Sequence, residues 1–257
     1  VKTLTELARA QQVELVIPTS EAELDVLSSE LQDQSIGGAM LLMVSRSIID
    51  ISLDKLRTVE FLKAVGLPHP WTLKAKEKPL TVPCIFKPRF GRGSKGVNII
   101  ENEEWLSWSG EENAIWQELL LPADEEYTCG VFRSHTGATR SITLRRTLSG
   151  GLTGKGEVVN DPQISEYIQT IASLLDLVGS VNIQLRKTDR GPILFEINPR
   201  LSSTIVFRHK LGFTDLLWWI EEKYGLRLSE YSAPRAGIRF YRGFTEYFDY
   251  KNQTLEH

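Results

Sequence analysis

Phe195-Glu196-Ile197-Asn198-Pro199-Arg200 is the stretch on which the reading of this chain turns. On a strand alternate side chains share a face, so Glu196, Asn198 and Arg200 are expected on one side, with Phe195 and Ile197 in the core. The segments 181–186 and 193–197 read as two strands of a hairpin joined by the polar turn Thr188-Asp189-Arg190-Gly191. That pairing stands Gln184 near Glu196. One carboxylate and two amide oxygens on one sheet face make a hard-oxygen set suited to Mg²⁺ (or Mn²⁺), an ion completed by waters and substrate phosphates. Arg200 would face the same phosphates as a bidentate donor. The plainer alternative is a solvent-exposed hairpin face. Against it, both strands are otherwise strongly apolar, so the second face calls for a covering layer.

Upstream, Gly91-Arg92-Gly93-Ser94-Lys95-Gly96 matches G-x-G-x-x-G, a pattern shared by dinucleotide fingerprints, phosphate-covering flaps and plain turns. A dinucleotide fingerprint must run from a strand into a helix. Here Val97-Asn98-Ile99-Ile100 follows, which is short and β-branched, so the loop joins two strands. Val97 and Asn98 stand where a P-loop needs Lys and Ser or Thr. A hairpin flap remains, whose glycines let backbone N–H groups approach phosphate oxygens while Lys87 supplies a cation. Kinase H-R-D and D-F-G motifs are missing. The competing reading is a surface hairpin with ordinary basic residues.

The 257 residues are 41% hydrophobic, 25% charged and 9% aromatic, the mixture of a globular protein and not of a disordered chain or coiled coil. Thirty Lys and Arg against 33 Asp and Glu leave a formal charge of -3. Without a strong basic field, no nucleic acid and no membrane is expected as partner, and a small-molecule site becomes the better prior. Cys84 and Cys129 form no CxxC pair, which suits a reducing, cytoplasmic setting. No apolar run approaches the ~18 residues of a membrane helix, and no signal peptide is read. Leu255-Glu256-His257 reads as the remnant of an expression tag.

Residues 1–50 read as the tail of a helix, a buried strand over 13–17, a helix over 21–31 and a strand over 40–44. This reads as an αβαβ fragment of a parallel sheet without its opening strand. A helix capped by Asp54 is stopped by Gly66 and Pro68. Strands are expected over 71–74, 83–88, 97–100, 116–121, 127–132 and 141–147. An amphipathic helix over 160–178 carries Ile164, Ile168, Ile171, Leu175 and Val178 on one stripe. The last helix covers 214–224, and its Trp218-Trp219 pair reads as core or as a subunit contact.

In this order the parts resemble the ATP-grasp superfamily, most closely the ATP-binding modules of the carbamoyl-phosphate synthase large chain and related ligases. The resemblance spans about residues 12–225. It is carried by Ile17-Pro18-Thr19, Asp54-Lys55, and Ile85-Phe86-Lys87-Pro88 with the glycine loop. It continues through Gln117-Glu118-Leu119-Leu120, Glu126-Tyr127, Asn182-Ile183-Gln184 and the stretch from Glu196 to Arg200. The implied fold is α/β (α+β): a truncated Rossmann-like pre-ATP-grasp domain over 1–50, a small ATP-grasp subdomain with the flap over 51–120, and a C-terminal subdomain with the metal site over 121–254.

The resemblance further implies ATP and Mg²⁺ as cofactors, with Gly91, Gly93, Ser94 and Gly96 in the phosphate flap and Lys55 and Lys87 as phosphate-reaching cations. It sets Glu118 with the Leu119 and Leu120 backbone at adenine, Glu126 at ribose, and Gln184, Glu196 and Asn198 on the metal. Arg200 would stabilise the transferred phosphoryl group. Arg145, Arg146 and Lys155 are candidates for contacting an acyl phosphate or closing as a lid, with a flexible basic hairpin as the alternative. The implied chemistry is phosphorylation of a small carboxylate, or of bicarbonate, and capture of the acyl phosphate by an amine or similar nucleophile. A homodimer or a partner subunit stays open. So do two other functions: a nucleotide-binding subunit without independent catalysis, and a dinucleotide oxidoreductase supported by the glycine loop alone.

Overall fold

The computed structural model describes residues 1–31, 34–91, 93 and 95–245. The expectations on Ser94 and on the tag remnant at 255–257 lie outside them. Lys2–Ala10 (α1), Leu15–Val16 (β1), Glu21–Glu30 (α2), Ser35–Ile36 (β2) and Ala39–Leu41 (β3) come first. In a three-stranded sheet β3 runs parallel to β1 and antiparallel to β2. The strand expected over 13–17 is two residues long and half-buried, not buried. Ser20 starts α2 with a reciprocal cap: its Oγ accepts from Glu23 N at 3.2 Å, and Glu23 Oε2 accepts from Ser20 N at 2.9 Å.

Two helices then meet at Asp54. Arg46–Leu53 (α3) is helical although Ile48, Ile49 and Ile51 are β-branched and weaken helix propensity. Burial of Ile48 and Ile49 overrides that preference. Asp54 breaks the run with extended backbone and caps Lys55–Ala64 (α4), accepting from Leu56 N at 3.0 Å and Arg57 N at 3.4 Å. Only 4% of its side chain is exposed, and it also accepts from Arg89 Nε at 2.8 Å and Nη2 at 2.6 Å. Asp54 therefore fixes the start of α4, and Lys55 with it, to the end of the next sheet.

That sheet is antiparallel, built from Thr72–Lys74 (β4), Cys84–Pro88 (β5), Asn98–Ile100 (β6) and, after the short Trp105–Trp108 helix (α5), Ala114–Glu118 (β7), in the order β4-β7-β5-β6. Phe86 lies 4.9 Å from Trp108 and 5.0 Å from Trp116 between ring centroids, so aromatic packing supplies its small core. The glycine loop joins β5 to β6, as its β-branched sequel required.

The third sheet is larger. Glu126–Arg133 (β8), Thr139–Ser149 (β9), Leu152–Val159 (β10), then Pro162–Leu174 (α6), Gly179–Thr188 (β11), Gly191–Asn198 (β12), Ile205–Lys210 (α7), Asp215–Lys223 (α8) and Arg239–Tyr241 (β13) complete the described elements. Six strands lie antiparallel in the order β12-β11-β8-β9-β10-β13. Ile164, Ile168 and Ile171 of α6 are buried, but Val178, expected on the same stripe, falls past the helix end and is exposed. Trp218 and Trp219 are core residues of this single chain. Gly179, at φ +111, gives way to Trp219: a Cβ there would lie 2.4 Å from the indole.

Burial alone would raise the Asp54 carboxyl. The hydrogen-bonded Arg89 guanidinium and the two helix N–H groups more than offset it and hold the group below the usual carboxylate range. Its contribution to stability is thus present above the unfolded pKa and lost as pH falls through the folded one. Asp54→Ala should lower the melting temperature at neutral pH, with the cap alone worth about 1 kcal/mol, and should flatten the acid limb of the stability curve. Thermal denaturation of both proteins across acid pH checks this.

Candidate active site

A cavity of about 170 Å³ lies between the second and third sheets. From the second sheet and its approaches it takes Lys55, Lys87, Gly91, Gly93 and, at the end of β7, Glu118, Leu119 and Leu120. From the third it takes Glu126, Arg146, Gln184 and Glu196, together with Arg186 and Phe195. A second cavity of about 280 Å³ shares Arg146, Gln184 and Glu196 and adds Asn198 and Arg200. One cleft with two lobes results, joined where Gln184 and Glu196 stand. Gly96 lines neither lobe; it turns at φ +71 against the Pro88 ring.

The junction owes its shape to a slip in strand pairing. Gln184 faces Glu196 across the β11–β12 ladder, yet Leu185 faces Leu194, so Phe195 is an extra residue on β12. Such a bulge interrupts alternation. Phe195, expected in the core, therefore lines the first lobe beside Glu196, and the Lys87 ammonium sits 5.7 Å from its ring centroid. Ile197 does point into the core.

Two lysines approach the same junction. Lys55 Nζ donates to Gly91 O at 2.8 Å, which ties the helix α4 start to the glycine loop. Lys87 Nζ donates to Gln117 Oε1 at 2.7 Å. With Lys87 only 6% exposed, burial lowers its pKa to about 7; the Glu196 charge pulls it up and the neighbouring Lys55 down.

Glu126 is held from two sides. Its Oε1 accepts from Arg146 Nε at 3.1 Å and Nη2 at 2.9 Å, and its Oε2 from Arg186 Nη2 at 2.7 Å. Arg186 also donates to Leu120 O at 2.7 Å, fixing the segment after β7. The Glu118 carboxylate accepts from Trp71 N at 3.2 Å and pairs with Arg190 of the β11–β12 turn. Arg200 Nη2 reaches Glu21 Oε1 of α2 at 3.3 Å. Burial raises the Glu21 carboxyl, with Arg200 opposing and Glu196 reinforcing that shift.

Arg145 and Lys155 stand elsewhere. Consecutive residues of β9 face opposite ways, so Arg145 turns from the Arg146 side and pairs with Glu157 at 2.5 Å and Glu125 at 3.3 Å. A second slip, at Gly154, sets Lys155 opposite Thr147 and not Arg146. Lys155 is exposed in a third cavity, lined also by Arg145, Arg146 and Tyr241, and lines neither lobe of the cleft.

Comparison with known proteins bears on this arrangement. Residues 115–241 match the family model described as "ATP-grasp in the biosynthetic pathway with Ter operon". In structure the chain is similar to N5-carboxyaminoimidazole ribonucleotide synthetase from Thermus thermophilus, with a TM-score of 0.72 and 19% identity over 89% of this chain and 66% of that one. The chain has the ATP-grasp fold. The ADP-, MgADP- and bicarbonate-containing biotin carboxylase domain dimer of Hydrogenobacter thermophilus 2-oxoglutarate carboxylase is a second neighbour, with TM-score 0.72 and 17% identity over 93% of this chain and 60% of that one.

In sequence this ATP-grasp chain is 26% identical over 209 residues to the carbamoyl phosphate synthase large chain of Archaeoglobus fulgidus, covering 72% of this chain and 19% of that protein. It is 24% identical over 236 residues to the arginine-specific large chain of Halalkalibacterium halodurans, covering 79% and 22%. The chain thus spans about a fifth of the length of these curated relatives.

Three groups in or beside this cleft escaped the sequence reading. Arg186 was legible, since it lies two residues from Gln184 on the same strand face. Phe195 was not, because a bulge leaves no mark in composition. Nor was Arg208 of α7, whose Nη2 pairs with Asp215 Oδ2 at 2.8 Å, both side chains being 1% exposed. Its Nη1 donates at 3.1 Å to Asn182 Oδ1, which also accepts from Thr128 of the second lobe at 3.0 Å. Gly130 permits this, for a Cβ there would lie 2.7 Å from Arg208 Cδ.

The Lys87 ammonium should titrate near pH 7, followed through its side-chain carbon or nitrogen resonance. Glu196→Gln should move that titration lower, since it removes the charge that pulls it up. Titration near the usual lysine value in both proteins would refute the burial argument.

Proposed function

We propose that the chain is an ATP-dependent carboxylate–amine ligase that binds ATP with Mg²⁺ (or Mn²⁺) in the first lobe and a small carboxylate in the second. The meeting of Lys55 and Lys87 with the Gln184–Glu196 pair at the junction of the lobes carries this reading. Segments 1–50, 51–120 and 121–254 would then act as the partial pre-ATP-grasp, flap-bearing and metal-bearing units. The MgADP in the biotin carboxylase neighbour supports the cofactor choice.

Among the described residues no three His, Cys, Asp or Glu side chains cluster as a metal site. The Gln184, Glu196 and Asn198 set nonetheless fits Mg²⁺, which takes one or two protein carboxylates and completes its shell with waters and phosphate oxygens. Held there by Gln184, Glu196 and Asn198, the ion would supply positive charge against that of the phosphates. The protein's own part is placement and charge. Lys55 and Lys87 would hold the phosphates, the Leu119 and Leu120 backbone the adenine, and Arg200 the charge spreading over the transferred group. Glu126 keeps a carboxylate lone pair for a ribose hydroxyl while it holds its two arginines.

A carboxylate oxygen would bond to the γ-phosphorus as the bridging P–O bond breaks and its electron pair leaves on ADP. The amine would then attack the acyl carbon, releasing phosphate and a proton. No protein nucleophile enters either step. Two free, buried cysteines support a reducing, cytoplasmic setting. Among the described residues no helix is long and apolar enough to cross a membrane.

Calorimetric titration with ATP should show binding that needs Mg²⁺, is abolished by EDTA and weakens at least tenfold in Glu196→Ala. Phosphate contact favours the Lys87 ammonium, so affinity should be full below about pH 7 and decline as pH rises above it, with proton uptake on binding. Binding of NAD in place of ATP would sink the ligase reading.

A further inference from the structure

The second lobe is larger than bicarbonate requires. At about 280 Å³ it is the larger of the two lobes, whereas bicarbonate is one carbon and three oxygens. Part of the lobe serves the transferred phosphoryl group, at the edge where Gln184, Glu196 and Arg146 line both cavities. The remainder runs between two unlike walls.

One wall is polar. Ser202, Ser203 and Thr204 follow Arg200 along it, and Ser202 and Thr204 share a hydrogen bond of 2.7 Å. Arg242 holds this wall in place, donating to Ser203 O at 2.7 Å and to Thr153 O at 3.0 Å. Ser203 is exposed. The other wall is apolar: Leu148 and Leu152 from the β9–β10 hairpin leave 37% and 48% of their surface uncovered. Between these leucines the hairpin meets the glycine loop, for a Cβ on Gly151 would lie 3.0 Å from Gly93 O. A bare inorganic anion uses neither an apolar wall nor a row of hydroxyls. An amphiphilic molecule uses both.

We infer that the acid is an organic carboxylate larger than bicarbonate, with a hydroxyl or amino group facing Ser203 and a short apolar body against Leu148 and Leu152, and that bicarbonate is not the substrate. This rests on the ligase reading above. The carboxylate end lies toward Arg200 and the Glu196 junction, and the substituents set selectivity.

The test is ADP release by the 257-residue chain with ATP and Mg²⁺. Bicarbonate alone is compared with a panel of amino acids and 2-hydroxy acids, and hydroxylamine traps the acyl phosphate as hydroxamate with loss of phosphate. At least tenfold stimulation by a member of the panel, hydroxamate formation and no response to bicarbonate are expected. Ser203→Phe fills the polar side of the lobe and Leu152→Glu sets a negative charge on the apolar wall. Each should raise KM for that acid at least tenfold, while calorimetric ATP affinity stays within twofold and reports that the variant has folded. Stimulation by bicarbonate, no stimulation by any panel acid, or an unchanged KM in both variants would overturn the inference. Failure of the wild-type chain to bind ATP would instead take down the ligase reading, and this inference with it.

Discussion

Between Gln184 and Leu185 the pairing of β11 with β12 slips by one residue, and the face on which Glu196 stands depends on that slip. With Phe195 outside the ladder, Leu194 and Ile197 stay in the core while Phe195 and Glu196 both turn to the cleft. Strict alternation would have sent Leu194 to the same face as Glu196. The bulge thus serves core and site together. It also delivers an aromatic face under the Lys87 ammonium at the point where charge is most crowded.

That crowding is managed by side-chain contacts that hold each charged group to a neighbouring element. Lys55 is tied to the glycine loop, Asp54 beside it to Arg89, and Lys87 to Gln117, so the second sheet presents its cations on fixed mounts. From the other side Arg200 reaches Glu21, which links α2 to the end of β12. Side chains held by partners lose less freedom when a ligand arrives, and less of the binding free energy goes to ordering them.

Much of this was legible in the sequence. The glycine loop lies between strands because β-branched residues follow it, and the β11–β12 hairpin was marked by its polar turn and apolar flanks. Asp54 and Gly66 bound α4 as capping chemistry demands. Failures came where tertiary context outweighs local preference. α3 is helical despite its isoleucines because burying Ile48 and Ile49 outweighs propensity. Lys155 was drawn toward the site by its glycine-rich setting, but the bulge at Gly154 decided its face. Arg208 is an internal cation, and only the fold reveals Asp215 beneath it.

The two guanidiniums around Glu126 bear on selectivity as well as on architecture. Arg146 and Arg186 would by themselves draw anions into the first lobe, since arginines bind phosphates and carboxylates through strong charge-assisted hydrogen bonds. Glu126 acts as a resident competitor: a visiting anion must match an internal carboxylate already seated between them. A ligand that leaves this trio undisturbed and draws its charge compensation from Lys55 and Lys87 escapes that contest. Glu126 thereby offsets part of the positive charge that the two arginines bring to that lobe.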